Sequence, residues 1–445
     1  MRAGQAVTIA RHFAAARWRW ERLHGKRLAT YQERRARAIV RFANERSPFY
    51  HDHWAGHDLV EWRALPTVDK RQMMANFARF NTIGVSADEA LEVALRAERS
   101  RDFTPTLRGV TVGLSSGTSG HRGVFLASPE EQAGWAGVIL SRTLRQLTGR
   151  LRVAFFLRSN NNLYEQVGSA LIQFQYFDLM TPLTEAIACL NLFQPHIVIG
   201  PPSLLDELAD ELTTSRLRIH PQRLISVAET LEPQDRVRLQ GAFQAPVHEI
   251  YQCTEGLLAI SCAHGSLHIQ EDLVALQFEP LGDQGARSGT ERVTPIVTDL
   301  WRRTQPIIRY RLNDVLRLAD KRCRCGSDFR VIEAIEGRCD DVCYFVTNAG
   351  ELRPFFPDVI RRMILLTSDA IAEYQAVQEH PGQLCVRVAL LPVAEPDAVD
   401  EALRRSADET AARYGCRRMD LTIEHELELL APDRKRRRVR RLYQE

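Results

Sequence analysis

Residues Leu114 to Gly123 read LSSGTSGHRG, a run whose side chains could hold phosphate. Small residues let a backbone turn tightly and aim its N–H groups at an anion. Ser115, Ser116, Thr118 and Ser119 add hydroxyl donors, Gly117 and Gly120 leave the backbone open to close approach, and Arg122 contributes a planar cationic fork. No Gly-Lys-Ser/Thr of the Walker type follows, and no GxGxxG is present. A plain Ser/Gly surface loop is the competing reading. A second cluster is formed by sulfur. Cys323 and Cys325 stand one residue apart, and Cys262 and His268 lie upstream on a short β-segment. Three thiolates and an imidazole suit tetrahedral zinc; four protein ligands leave no open position, so such a site would be structural. His264 competes with His268 for the fourth place, and free thiols remain the alternative. A third candidate is the basic tail PDRKRRRVRRL, which by charge alone is a solvated or nucleic-acid-binding tail.

The elements that must position these residues can be read from periodicity. β-rich runs at Gly109–Leu114, Leu151–Leu157, His196–Ile199, Arg223–Val227 and Val247–Tyr251 alternate with helical segments such as Pro129–Leu147 and Ser203–Thr213. Strand and helix in alternation predict an α/β fold with a largely parallel sheet covered on both faces. Residues 267–318 carry strands and turns but no long helix, which predicts an antiparallel or barrel-like β-rich subdomain. After Gly337, signals at Asp341–Val346, Pro357–Leu366, Leu384–Leu391, Asp397–Tyr414 and Leu421–Leu429 predict a small α+β domain. The domains are therefore expected at 1–338 and 339–445. Residues 10–46 are charged and helical in period, ending at Ser47-Pro48. The N-terminal stretch reads as a basic amphipathic helix packed on the body, with a membrane-surface role as its rival.

Four segments in fixed order resemble the adenylate-forming, acyl-CoA synthetase-like superfamily. The Ser/Thr-Gly loop 114–123 is similar to its phosphate-binding loop. Ile250–Gly256 (IYQCTEG) resembles the YGxTE motif, which implies Tyr251 on adenine, Thr254 at the α-phosphate and Glu255 holding Mg²⁺. Pro306–Val315 (PIIRYRLNDV) resembles the segment whose Asp binds the ribose hydroxyls, here Asp314; an ion pair with Arg309 or Arg311 is its structural rival. Glu336–Val342 (EGRCDDV) resembles the hinge before a mobile C-terminal lid, which implies Arg338 at ribose or phosphate. The tail resembles the terminal Gly-Lys-x-x-Arg-Val stretch and implies Lys435 as the lysine that enters the active site. FANERSPFYHDHW, LPTVDKRQM and CRCG, with the PIIRYR run, resemble the phenylacetate–CoA ligase and capsule-biosynthesis branch, whose members carry a similar Cys/His set. This sequence departs from the pattern at Arg122 (usually Lys), Gln252 (usually Gly), Cys253 and Arg434 (usually Gly).

The resemblance implies ATP-dependent adenylation of a small carboxylic acid, aromatic or otherwise, with release of pyrophosphate. Transfer to coenzyme A, a carrier-protein thiol or an amine would follow, with ATP/AMP, Mg²⁺ and structural Zn²⁺ as bound groups. A non-catalytic nucleotide-binding relative, or an adenylyltransferase acting on a non-carboxylate group, is the alternative. Composition sets bounds on partners. Of 445 residues, 44% are hydrophobic and 26% charged, with net charge +3, so neither nucleic acid nor a membrane is demanded. No apolar run nears the roughly 20 residues of a membrane span. Nine cysteines without an export signal predict reduced thiols in the cytoplasm. A homodimer is compatible with this reading.

Overall fold

The computed structural model describes residues 3–102, 104–114, 123–144, 149–157, 172–281, 292–428 and 436–443. The chain forms two compact units: one of residues 1–278, 295–312 and 318–333, the other of 279–294, 313–317 and 334–445.

The larger unit is built on the parallel sheet that the sequence predicts. Strands β1 (Thr111–Leu114) and β2 (Val124–Ala127) stand apart from it as an antiparallel pair, Leu114 opposite Val124, so the run 115–123 joins two neighbouring strand ends. The short-range reading missed β2, which intervenes between that run and the helix Pro129–Thr143. Ser128 opens this helix, its hydroxyl accepting from the Glu131 amide while the Glu131 carboxylate accepts from Ser128 N–H, a capping box that satisfies two orphan amides. The main sheet contains β3 (Leu151–Leu157), β4 (Ile172–Asp178), β5 (Ile197–Gly200), β6 (Arg223–Val227) and β7 (Val247–Cys253), parallel in the spatial order β4-β3-β5-β6-β7. Helices Leu183–Phe193, Pro202–Thr213 and Pro233–Phe243 supply Leu190, Leu205, Leu208 and Leu239 to a core with Phe156, Val198, Leu224 and Val247. Then the pattern switches. β8 (Gly256–Ser261) returns antiparallel to β7, and β9 (Leu267–Ile269) is antiparallel to β8, so the predicted antiparallel segment extends the main sheet here rather than closing a barrel.

The N-terminal segment is two helices, Ala3–Arg22 and Gly25–Arg46, broken at Leu23-His24. The first is not a membrane-surface helix on its apolar side. Ile9, Ala16 and Trp20 are buried, and it packs on helix Pro129–Thr143. The approach is so close that a Cβ at Gly137 would meet the Ile9 carbonyl at 2.7 Å. Among the described residues no helix is long and apolar enough to cross a membrane.

The smaller unit has its own core around Phe345, Phe355, Ile360, Tyr374, Val386 and Leu403. Its named strands include β10 (Val274–Pro280) in part, the first residues of β11 (Arg292–Asp299), most of β13 (Asp314–Leu318) and the end of β14 (Val331–Arg338), while β12 (Tyr310–Arg311) pairs with β11 inside the larger unit. β15 (Cys343–Val346) and β16 (Leu352–Phe355) form a hairpin. β17 (Ile371–Gln378), β18 (Gln383–Leu390), β19 (Asp420–Glu424) and β20 (Val439–Arg441) form a sheet in the order β19-β18-β17-β20, with helices Pro357–Leu365 and Pro396–Arg413. The end of the basic tail is therefore not a free tail. β20 lies parallel on β17, Glu373 takes Arg436 at 3.3 Å and Arg438 at 2.5 Å, and the buried Asp341 carboxylate takes Arg437.

Candidate functional site

Strand β7 carries Tyr251 near its C-terminal end, the end of a parallel sheet where such folds hold ligands. Cys253 pairs with Gly256 across the turn to β8, so Thr254 and Glu255 form a two-residue corner. The Thr254 hydroxyl donates to the Glu255 carboxylate at 2.9 Å, and both side chains are half-buried. Glu255 also lies near the Tyr310 hydroxyl; burial first, and then the Glu255 charge, hold that phenol well above its ordinary range.

What fixes this corner is a buried guanidinium that sequence reasoning missed. Arg302 is 1% exposed; its Nη1 donates to the Thr254 carbonyl at 2.5 Å, and its Nη2 to the Leu126 carbonyl at 3.1 Å and to Gln305 Oε1 at 3.2 Å. Gln305 Oε1 in turn accepts from the Leu126 amide at 2.8 Å. Leu126 belongs to β2, the strand that leaves the Ser/Gly run. One planar fork therefore ties the strand after that run to the Thr254–Glu255 corner, a geometry that a lysine could not reproduce. Asp299 supports Arg302 from beneath, its Oδ1 accepting the Trp301 amide at 2.8 Å and the Arg302 amide at 2.9 Å. Burial pushes the Asp299 carboxyl up to about 6, against those two backbone bonds and the Arg302 charge. A second brace lies on the PIIRYR run. The fully buried Tyr50 hydroxyl donates to the Pro306 carbonyl and accepts from the Ile308 amide, each at 3.1 Å, while Val68 exchanges backbone bonds with Arg309 and Arg311. The stretches around Tyr50 and Val68, read from sequence only as a resemblance, thus hold Tyr310 in place.

In the smaller unit, Asp314 opens β13 and Arg338 closes β14; their side chains approach to 3.7 Å, and Cys339 N–H donates to the Asn313 carbonyl at 2.7 Å. Arg338 is thus one cationic neighbour of Asp314, an acid for which Arg309 or Arg311 was the rival partner in the sequence. Gly337 sits at φ +127, and a Cβ there would meet the Pro357 ring at 3.0 Å, so the motif's glycine is required twice over. The Glu336 carboxylate is buried and takes Arg292 at 2.5 Å and Arg317 at 2.8 Å. Ser115, Ser116, Gly117, Thr118, Ser119, Gly120, Arg122 and Lys435 lie outside the described residues.

The sulfur cluster assembles. One ligand atom from each of Cys262, His268, Cys323 and Cys325 falls within 4.8 Å of all the others, with Sγ–Sγ of Cys262 and Cys323 at 3.6 Å and Cys325 Sγ to His268 Nε2 at 3.3 Å. Zinc–sulfur bonds of about 2.3 Å at tetrahedral angles place sulfurs about 3.8 Å apart, so the donor set fits a metal. His268 Nδ1 lies 2.8 Å from the Phe329 carbonyl, which fixes the ring's orientation and leaves Nε2 as the ligand. Burial holds this imidazole below its usual range, in the neutral form that binds metal. Amides of His264 and Cys325 point at the Cys262 and Cys323 sulfurs, at 3.4 and 3.5 Å, so the competing His264 contributes backbone, not imidazole. Trp20 and Phe329 close the site with edge contacts. All nine cysteines are free thiols.

No family model matches the chain, and no curated protein matches it in sequence. Solved structures do. A 2-hydroxyisobutyryl-CoA ligase, captured in its postadenylation state with 2-HIB-AMP, superposes with a TM-score of 0.71 at 18% identity, covering 93% of this chain and 89% of that one. The same ligase in an open conformation with 2-HIB-AMP and CoA gives 0.62 at 17% identity over 93% and 91%. An acyl acid amido synthetase gives 0.56 at 14% identity over 87% and 83%. The described residues and these superpositions lead to one statement: the chain has the fold of these ligases and synthetases.

Proposed function

We propose that this protein is an ATP-dependent ligase that adenylates a small carboxylic acid, expels pyrophosphate, and hands the acyl group to a second nucleophile. The observation that carries this is the Arg302 bridge between β2 and the Thr254–Glu255 corner, because it ties together the surroundings of the two segments that such chemistry needs side by side. In this reading Ser115–Gly120 and Arg122 wrap the phosphates, Tyr251 packs on adenine and Thr254 meets the α-phosphate. Asp314 and Arg338 serve the ribose and phosphate side, and Lys435 offsets charge developing between carboxylate and α-phosphorus. Mg²⁺, a hard ion that prefers oxygen, would be held by Glu255 and would neutralise the phosphates. Residues 339–445 act as the lid. The similarity to ligases solved with CoA makes a thiol acceptor the first candidate; an amide synthetase is also among the similar folds, so an amine is the second.

The Cys262, His268, Cys323 and Cys325 set would hold zinc with no open position, a structural role. The free thiols and that site suit a reducing compartment, the cytoplasm. We place the chain nearest the phenylacetate–CoA ligase and capsule-biosynthesis branch. The test is a panel of acids screened for ATP-dependent pyrophosphate release, with mass spectrometry of the product. A responsive acid is expected, and Glu255→Gln should cut the rate by roughly 10²–10³. Pyrophosphate release that is unchanged in Glu255→Gln would overturn the assignment of the corner. ATP binding without release on any acid would leave a nucleotide-binding relative.

A further inference from the structure

A cavity of about 230 Å³ lies against the N-terminal ends of β6 and β7, the opposite end of the strands from the Thr254–Glu255 corner. Arg17, Arg142, Arg223, His248, Ser261 and Glu249 contribute to its walls. Most of the charge there is already matched. Arg142 sits on the buried Asp272 at 3.0 Å, Glu249 is taken by Arg236, and the half-exposed Arg17 reaches Glu21 at 3.5 Å.

Arg223 is different. It is 9% exposed, its Nη1 donates to the Thr143 carbonyl at 2.5 Å, and its Nε is buried with no hydrogen-bond partner. Among the described residues no carboxylate pairs with it. A buried guanidinium without a counter-charge is costly, and the least costly remedy is an anion bound beside it. The Ser261 oxygen accepts from the Glu249 amide at 2.9 Å, which leaves its own proton free to donate. The volume exceeds what one or two waters fill, yet falls below the roughly 300–1,000 Å³ of a drug-sized ligand site.

We infer that this cavity is a second anion site, built for a phosphoryl group: inorganic phosphate or a small phosphomonoester. Donors on several sides, from Arg223, Arg17 and Ser261, suit a tetrahedral oxyanion better than a planar carboxylate, which one fork would satisfy. The site stands independently of the adenylation reading, because it shares no residue with the corner.

The experiment uses the full-length protein as purified, titrated with inorganic phosphate by calorimetry and thermal melting. Phosphate should bind and raise the melting temperature of the wild type and of Glu255→Gln alike. Arg223→Met should weaken binding at least tenfold, and phosphate should no longer raise its melting temperature. Arg17→Glu, at a half-exposed position that does not threaten folding, should weaken binding several-fold. Competition by glycerol phosphate distinguishes the sources: displacement assigns the site to phosphomonoesters, and its absence assigns it to the free ion. If phosphate leaves the wild type unchanged, or stabilises Arg223→Met and Arg17→Glu as strongly as the wild type, the proposal fails.

Discussion

Arg302 is the residue on which the corner rests, and its replacement should be felt in two ways. Arg302→Lys keeps the charge but cannot serve Thr254, Leu126 and Gln305 together. Buried carbonyls left without donors cost about 1–3 kcal/mol, so the variant should melt lower. As a positioning residue it should lower kcat for pyrophosphate release more than it raises KM for ATP; equal effects on both would argue for a purely structural role. Asp299 supplies a pH signature. Its carboxyl is held up at about 6 in the fold, above the 3.8 ordinary for an aspartate, so the folded chain holds the proton more tightly than the unfolded one. That stabilisation is fully present below about pH 4 and is lost as pH rises through about 6. Asp299→Asn keeps an acceptor for the two amides and removes the titration. Its melting temperature relative to the wild type should therefore climb between pH 4 and 7, by an amount on the order of 3 kcal/mol in stability. A flat difference across that range would show that Asp299 does not titrate there.

At the scale of elements, strands that lie inside the parallel sheet were legible because burial on both faces writes them as continuous apolar runs, as in Leu151–Leu157 and Arg223–Val227. β17, IAEYQAVQ, was not, because its polar residues break the run. Those residues have partners that only the fold supplies: Glu373 takes Arg436 and Arg438, Gln375 binds the Glu428 backbone, and Gln378 bonds Tyr344 and Gln383. The same limit hid Arg302 and Tyr50, which act through partners 48 and 256 residues away. The Cys/His set was legible by type, because few other uses gather three thiols and a histidine. The fold adds that it joins the β8–β9 turn to the 323–325 loop. If it holds zinc, the protein should carry about one equivalent, and Cys323→Ser with Cys325→Ser should lose it together with thermal stability. Protein purified without chelator and found free of zinc would rule the metal out.

For the whole molecule, the proposed lid predicts that the two half-reactions separate. Lys435→Ala should lose roughly 10²–10³ in adenylation yet still consume prepared acyl-adenylate with its acceptor. A hinge variant should do the reverse. Asp341 is a poor place for it, since a proline there would also strip the buried carboxylate from Arg437. Asp340, exposed in the same 3₁₀ turn, is the better site: Asp340→Pro should release pyrophosphate while transfer stalls. Lys435→Ala with intact adenylation would remove the lysine from the reaction.

The smaller unit is assembled from three separated stretches of chain, and its ion pairs show how deeply they are joined. Arg292, from the first stretch, binds both Glu336 at 2.5 Å and Asp358 at 2.8 Å in the third. A fragment beginning at Cys339 would leave Asp358 buried without its cation, a loss typically worth about 3–5 kcal/mol. During synthesis, this body cannot finish folding until the ribosome has released its last segment, while its first has waited through more than a hundred residues of translation. Nor could recombination exchange it as a cassette: a single crossover would carry away the acid and leave the arginine behind.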